Sequence, residues 1–253
     1  MTIRTVNTNG VAVIEIARPE KKNALTQAMY TAMAEAIVAA DADATIRAVL
    51  ITGQPGIFTS GNDLEDFMQR PPQGEDSPVF QFMKALAECG KPVVAAVTGG
   101  AIGIGTTMLL HCDLVYVSDE ARLAMPFVSL GLVPEYASSL LIPQLIGHAK
   151  ATELLLLGEP FNGERAVEMG IANAVLPAAE VVNHARRMAE RFNALPPGAV
   201  RESKALMRRG QQALVKETIE VEAGIFGKRL RSPEAMEAFQ AFFQKRKPDF
   251  SKF

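Results

Sequence analysis

The chain has 253 residues, 48% hydrophobic and 21% charged, with a formal net charge of −2. This is globular composition, enough for one large domain or two small ones, and the balance of charge gives no support for nucleic-acid binding by bulk electrostatics. Two cysteines, Cys89 and Cys112, argue against a disulfide scaffold and suit a reducing compartment, and no apolar run approaches the ~20 residues that a membrane span needs.

Met1 is followed by polar Thr2 and strand-like sequence, so no signal peptide is expected. Ile3 to Thr8 and Val11 to Ala17 flank Asn9-Gly10, a hairpin signal. Thr26 is placed to cap a helix running to about Ala40. Arg47 to Thr52 reads as a buried strand, Asp63 to Met68 as a short helix and Pro71-Pro72-Gln73-Gly74 as a loop. Ser77 caps a helix ending near Cys89-Gly90. Pro92 to Val97 is a strand, Gly105 to His111 a helix and Leu114 to Val117 a strand. Helices follow near Ala137–Ile146, Ala149–Leu156 and Gly163–Met169. This alternation predicts an α/β core over residues 1–195. After the break at Pro196-Pro197-Gly198 only helical sequence follows, Ala199 to about Ile225 and Ser232 to about Lys245. Residues 196–253 therefore read as a helical region packed on the core or on another subunit.

Two glycine-bearing turns carry the chemistry. Ser60-Gly61-Asn62-Asp63 follows one apolar strand and Gly103-Ile104-Gly105 another, and each opens a helix. Such a junction exposes backbone N–H groups at the positive end of a helix dipole. Two of them facing one point would cradle a developing oxyanion, which points to an enzyme acting on a carbonyl.

Other chemistries fare worse. The dinucleotide fingerprint lacks its third glycine, because Met108 stands there. There is no Gly-x-Ser-x-Gly elbow and no phosphate loop. His111, His148 and His184 are scattered and read as structural or surface residues, so no metal site is expected. Lys245-Arg246-Lys247 reads first as a solvated helix end, with contact to a phosphate as the alternative. Among the carboxylates, Asp63 is explained by capping, and most others by amphipathic helices. Glu135 stands apart, because Leu132-Val133-Pro134 delivers it to a helix N-terminus. It is either a first-turn acid favoured by the dipole or a catalytic group.

Phe58-Thr59-Ser60-Gly61-Asn62-Asp63-Leu64 resembles the first oxyanion-hole motif of the crotonase (enoyl-CoA hydratase/isomerase) superfamily, and Ala96 to Gly105 resembles the second. Arg18-Pro19 with Asn23-Ala24-Leu25 is similar to its early CoA-contacting loop. Cys112-Asp113-Leu114-Val115-Tyr116, Ala149 to Glu153 and Phe239 to Lys247 follow the same pattern, so the resemblance spans nearly the whole chain. It implies a crotonase-like spiral of ββα units with a C-terminal helical trimerisation region, assembled as a homotrimer or a hexamer. It implies an acyl-CoA thioester substrate whose oxygen is held by the N–H groups of Asn62 and Ile104. Ser60, Gly61, Asn62, Asp63 and Leu64 would line the CoA path, with Ala24 and Leu25 near the adenine or pantetheine end. The acyl tunnel would depend on how Phe67, Met68, Phe80, Met83 and Leu86 pack, and by default these residues read as ordinary core.

The family's hydratases place two glutamates around a water, and at the matching positions this chain has Thr107 and Phe127. Met125 to Gly131, running on to Pro134-Glu135, resembles instead the Δ3,Δ2-enoyl-CoA isomerases, in which a single glutamate falls where Glu135 does. The resemblance thus implies proton transfer by Glu135 in fatty-acid degradation, with no metal or redox cofactor, CoA being part of the substrate. Alternatives are a dienoyl-CoA isomerase, a hydratase, or a catalytically silent crotonase-like scaffold. A cytoplasmic location is expected. Ser251-Lys252-Phe253 differ at one position from the Ser-Lys-Leu peroxisomal address, which keeps that compartment as the alternative.

Overall fold

Asn9 and Gly10 take positive φ of 48° and 71°, the backbone that a two-residue I′ turn requires. They join β1 (Ile3–Thr8) to β2 (Val11–Ile16), antiparallel, with Thr8 opposite Val11. The computed structural model describes residues 2–71, 74 and 76–253, so part of the expected Pro71-Pro72-Gln73-Gly74 loop lies outside the described residues.

From there the chain alternates. Thr26 accepts from the Met29 N–H and starts α1 (Gln27–Ala42), which buries Met29, Tyr30, Met33 and Ile37 along one face. β3 (Ala48–Thr52) and β4 (Ile57–Thr59) lead to α2 (Leu64–Gln69), capped by Asp63, and α3 (Pro78–Glu88), capped by Ser77. β5 (Val93–Val97) and β6 (Gly100–Ile102) lead to α4 (Ile104–Thr107), which tightens into a 3-10 turn over Met108–His111. β7 (Leu114–Ser118) and β8 (Arg122–Ala124) precede α5 (Ser138–Ile146) and α6 (His148–Thr152). α6 ends in a π-helical turn, Glu153–Leu157. β9 (Phe161–Asn162), α7 (Gly163–Glu168), β10 (Ala174–Leu176) and α8 (Val181–Glu190) complete the α/β part. The chain then turns helical with α9 (Pro197–Arg208), α10 (Gln212–Arg229) and α11 (Pro233–Phe243). The single helix expected from Ala199 to Ile225 is thus two, broken around Gly210.

From β3 to β8 successive strands fall alternately into two sheets. The larger has the order β1-β2-β3-β5-β7-β10 and is parallel from β2 onward. The smaller has the order β4-β6-β8-β9, with β4, β6 and β8 parallel. Each turn of the chain thus lays one strand in each sheet and returns through a helix, which is the ββα spiral. β3 and β5 are buried along their whole length because both faces of the larger sheet are covered. On one face Val13, Leu50, Val94 and Tyr116 pack against Val181, Ala185 and Ala189 of α8. On the other, Ile14, Ile51, Ala95 and Val117 join the main core with α1 and α3. No helix among the described residues is long and apolar enough to cross a membrane.

Candidate functional site

The parallel pairing of β4 with β6 brings the two glycine-bearing turns side by side. A Cβ added at Gly61, where φ is +92°, would sit 2.9 Å from the Ile102 carbonyl oxygen. One at Gly105 would sit 2.6 Å from the Thr59 side chain. The backbones touch, and only glycine permits that approach. Asn62 lies in the first turn, and Ile104 is the first residue of α4. Neither N–H makes a hydrogen bond among the described residues.

The first turn is held from three sides. Leu25 N–H donates to the Gly61 carbonyl and the Asp63 N–H to the Leu25 carbonyl, both at 2.8 Å. Asp63 caps α2 through the Asp66 N–H (3.1 Å) and accepts from Arg18 (2.6 Å). Burial raises its pKa, but the Asp66 N–H and Arg18 outweigh that and hold it below its usual value. Tyr30 Oη donates to the Asn62 side-chain oxygen. Asn23 and Leu25 are fully buried, and Asn23 spends its amide on the Ile16, Ile57 and Phe58 carbonyls. Their side chains brace the turn. Between Asn23 and Leu25, Ala24 is half-exposed, as are Ser60, Asn62 and Leu64 in the turn.

Glu135 is buried, and Thr107 Oγ1 donates to its Oε1 at 2.7 Å. Thr107 ends the short helix that Ile104 begins, so α4 links the second turn to the acid. Burial pushes the Glu135 pKa up to about 8, Thr107 opposes the shift and the nearby Glu222 carboxylate adds to it. The other hydratase position, Phe127, is buried, with its ring facing Phe226 and its edge against Gly103. His111 Nε2 donates to the Tyr136 carbonyl (2.8 Å) and its ring stacks on Tyr136. Burial lowers the His111 pKa to about 4, which makes it a neutral structural support. Among the described residues no three His, Cys, Asp or Glu gather as metal ligands would.

Glu135 opens onto a cavity of about 310 Å³ lined by Phe67, Phe80, Met83, Ile219, Ala223 and Gly224 among others. Of the residues on whose packing an acyl tunnel depends, Phe67, Phe80 and Met83 line this cavity. Leu86 is in the core, its default reading, and Met68 is exposed. One wall is α10, from the C-terminal helical region, which sequence reasoning did not bring to the site. A signal was present. Ala223, Gly224 and Gly227 place small residues on one face of a helix, and a Cβ at either glycine would meet open space.

The fold and this pairing of touching turns with a buried acid are those of a crotonase-superfamily protein. A family model described as Enoyl-CoA hydratase/isomerase matches residues 6–252, and the chain belongs to that family. The solved structure of Pseudomonas aeruginosa OdaA is 55% identical, with a TM-score of 0.94 over 95% of this chain and 98% of that one. An enoyl-CoA hydratase/isomerase from Pseudoalteromonas atlantica is 41% identical, with a TM-score of 0.94 over 99% of this chain and all of that one. Human enoyl-CoA delta isomerase 2 is 32% identical over 97% of this chain and 64% of its own length. A probable enoyl-CoA hydratase from Bacillus subtilis is 30% identical over 95% of both. The protein is an enzyme of this family, whose names divide between hydration and isomerisation.

Proposed function

We propose that the protein is a Δ3,Δ2-enoyl-CoA isomerase serving fatty-acid degradation, with Glu135 as its only acid–base group. The observation that carries this reading is one buried carboxylate facing an apolar cavity, hydrogen-bonded to a threonine where a hydratase carries an acid. Adding water across C2=C3 needs groups that activate the water and protonate the neighbouring carbon, whereas a double-bond shift needs one group that takes a proton and returns it. The Glu135 carboxylate removes a C2 proton from the 3-enoyl thioester. The electron pair of that C–H bond moves into a dienolate, whose oxygen the Asn62 and Ile104 N–H groups hold. The same carboxylic acid then gives the proton to C4, leaving C2=C3 and a regenerated carboxylate. No electron leaves the substrate, so the step needs no redox cofactor. The N–H pair favours the oxyanion over the ground-state carbonyl, which is what lowers the barrier. Exposed Leu206, Met207 and Phe242 on the C-terminal helices are apolar surface that a trimer would cover.

The test is a side-by-side assay of 3-enoyl-CoA isomerisation and 2-enoyl-CoA hydration on a short and a long substrate. Isomerisation is expected to be the faster on both; faster hydration overturns the reading, and failure to bind any acyl-CoA in calorimetry leaves a scaffold. The pH profile adds a second check. Only ionised Glu135 accepts a proton, so kcat/KM should climb with pH through about 8 and then level off. Thr107→Val removes the hydrogen bond that favours the carboxylate, so this limb should move to higher pH. A limb that stays in place would separate Thr107 from the base.

A further inference from the structure

Glu222 is a carboxylate on α10, in the C-terminal region, yet it is buried. Its Oε2 accepts the Ala137 N–H at 2.5 Å and its Oε1 accepts the Ser139 N–H at 3.0 Å. These donors stand at the start of α5, where Ala137 occupies the cap position and supplies no side-chain acceptor. The residues between Glu135 and α5, Tyr136 and Ala137, have φ of 60° and 57°. Side chains other than glycine rarely take this left-handed backbone, and two in succession persist only when the surroundings impose them. The surroundings are visible. Tyr136 is tied by its hydroxyl to the Met83 carbonyl (2.7 Å) and by its carbonyl to His111. Ser138 N–H and Oγ both donate to the Glu135 carbonyl. Ala137 is tied by Glu222.

We propose that Glu222 is a positioning residue for the base: its carboxylate clamps the left-handed corner that presents Glu135 to the cavity. The proposal rests on Glu135 being the base. It gives the C-terminal helical region a part in the chemistry, because any shift of α10 moves the clamp. A second effect follows from proximity. Two carboxylates facing one corner make each other harder to ionise, so Glu222 strengthens Glu135 as a proton acceptor. The other groups around Glu135 are Thr107 of α4, which favours its ionised form, the phenols of Tyr30 and Tyr136, and Glu220 on the same cavity wall. Arg208 of α9 acts on Tyr136 and His111 beyond it.

The experiment follows the Glu135 carboxyl by 13C NMR in glutamate-labelled protein, its signal assigned by its loss in Glu135→Gln. In Glu222→Gln, the titration midpoint should fall by about one unit, since a like charge has gone. Turnover of 3-enoyl-CoA should fall about tenfold in kcat, with little change in KM, since the base is both weaker and less well held. A midpoint and a kcat that both stay at their wild-type values overturn the proposal, and a fall in kcat at an unchanged midpoint leaves the clamp and removes only the effect of charge. If Glu222→Gln fails to fold, Glu222→Asp replaces it. That variant keeps the charge but retreats by one methylene from its N–H donors. Loss of kcat with the midpoint preserved supports the clamp, and kcat within about twofold of wild type overturns it. Wild-type turnover by Glu135→Gln would strike the assignment of the base instead, and the NMR readout, which needs no turnover, tells the two failures apart.

Discussion

Glu135→Gln is expected to lower kcat at least ~100-fold, the lower range for a positioned acid–base group, while leaving acyl-CoA binding in place. The amide keeps the shape of the side chain and still accepts from Thr107, so the cavity wall is unchanged and the proton acceptor alone is lost. The same variant should change stability in a way that depends on pH. The wild-type carboxyl has an ordinary pKa of 4.5 and a folded-state value of about 8. Between these values the native state holds a proton that the unfolded chain has released. The group's contribution is therefore fully present below about 4.5 and is lost as pH rises through about 8, by at most ~1.4 kcal/mol per pH unit. Glu135→Gln removes this slope and should flatten the denaturation midpoint between pH 5 and 8. Thermal melts across that range check it, and a stability curve as steep as that of wild type would mean that Glu135 ionises normally. Unchanged turnover would remove Glu135 from the reaction.

That Glu135 was legible in the sequence follows from its neighbours. Leu132-Val133-Pro134 is an apolar run that ends on an acid, and an acid so delivered is either buried or at a helix start. It is both. Glu222 was not legible, for an equally physical reason. A carboxylate among the charged residues of a helix defaults to solvent, and the two N–H groups that claim it lie 85 and 83 residues away in the chain. The same division runs through the fold. Asn9-Gly10, Thr26, Asp63 and Ser77 announce their turn and caps through their own side chains or backbone freedom, and each stands where expected. The smaller sheet was missed because its strands have two or three residues, too few to show a period of two. α8 was missed although its faces are well separated, with Val181, Ala185 and Ala189 buried and Asn183 and Arg187 exposed. These short strands nonetheless matter most to the site, because the β4–β6 pairing is what sets the two turns against each other.

The N–H pair can be tested one donor at a time. Ile104 is the first residue of α4, where an N–H has no intrahelical partner and proline fits the helix. Ile104→Pro therefore deletes one donor and spares the helix. Gly103 precedes it, so no Cβ obstructs the proline ring, and the φ of 58° there remains available to glycine. The expected result is a loss of about 100- to 1000-fold in kcat, the range for removing one donor from an oxyanion hole. KM should change little, because the ground-state carbonyl makes weaker demands on that N–H than the dienolate does. Ile104 is also buried, so part of any loss could come from packing. Ile104→Val separates the two causes, since it trims one methylene and keeps the N–H; it should retain kcat within a few-fold. If Ile104→Pro folds, binds acyl-CoA and turns over like Ile104→Val, the second turn holds no oxyanion, and the cradle reduces to a close contact between two loops.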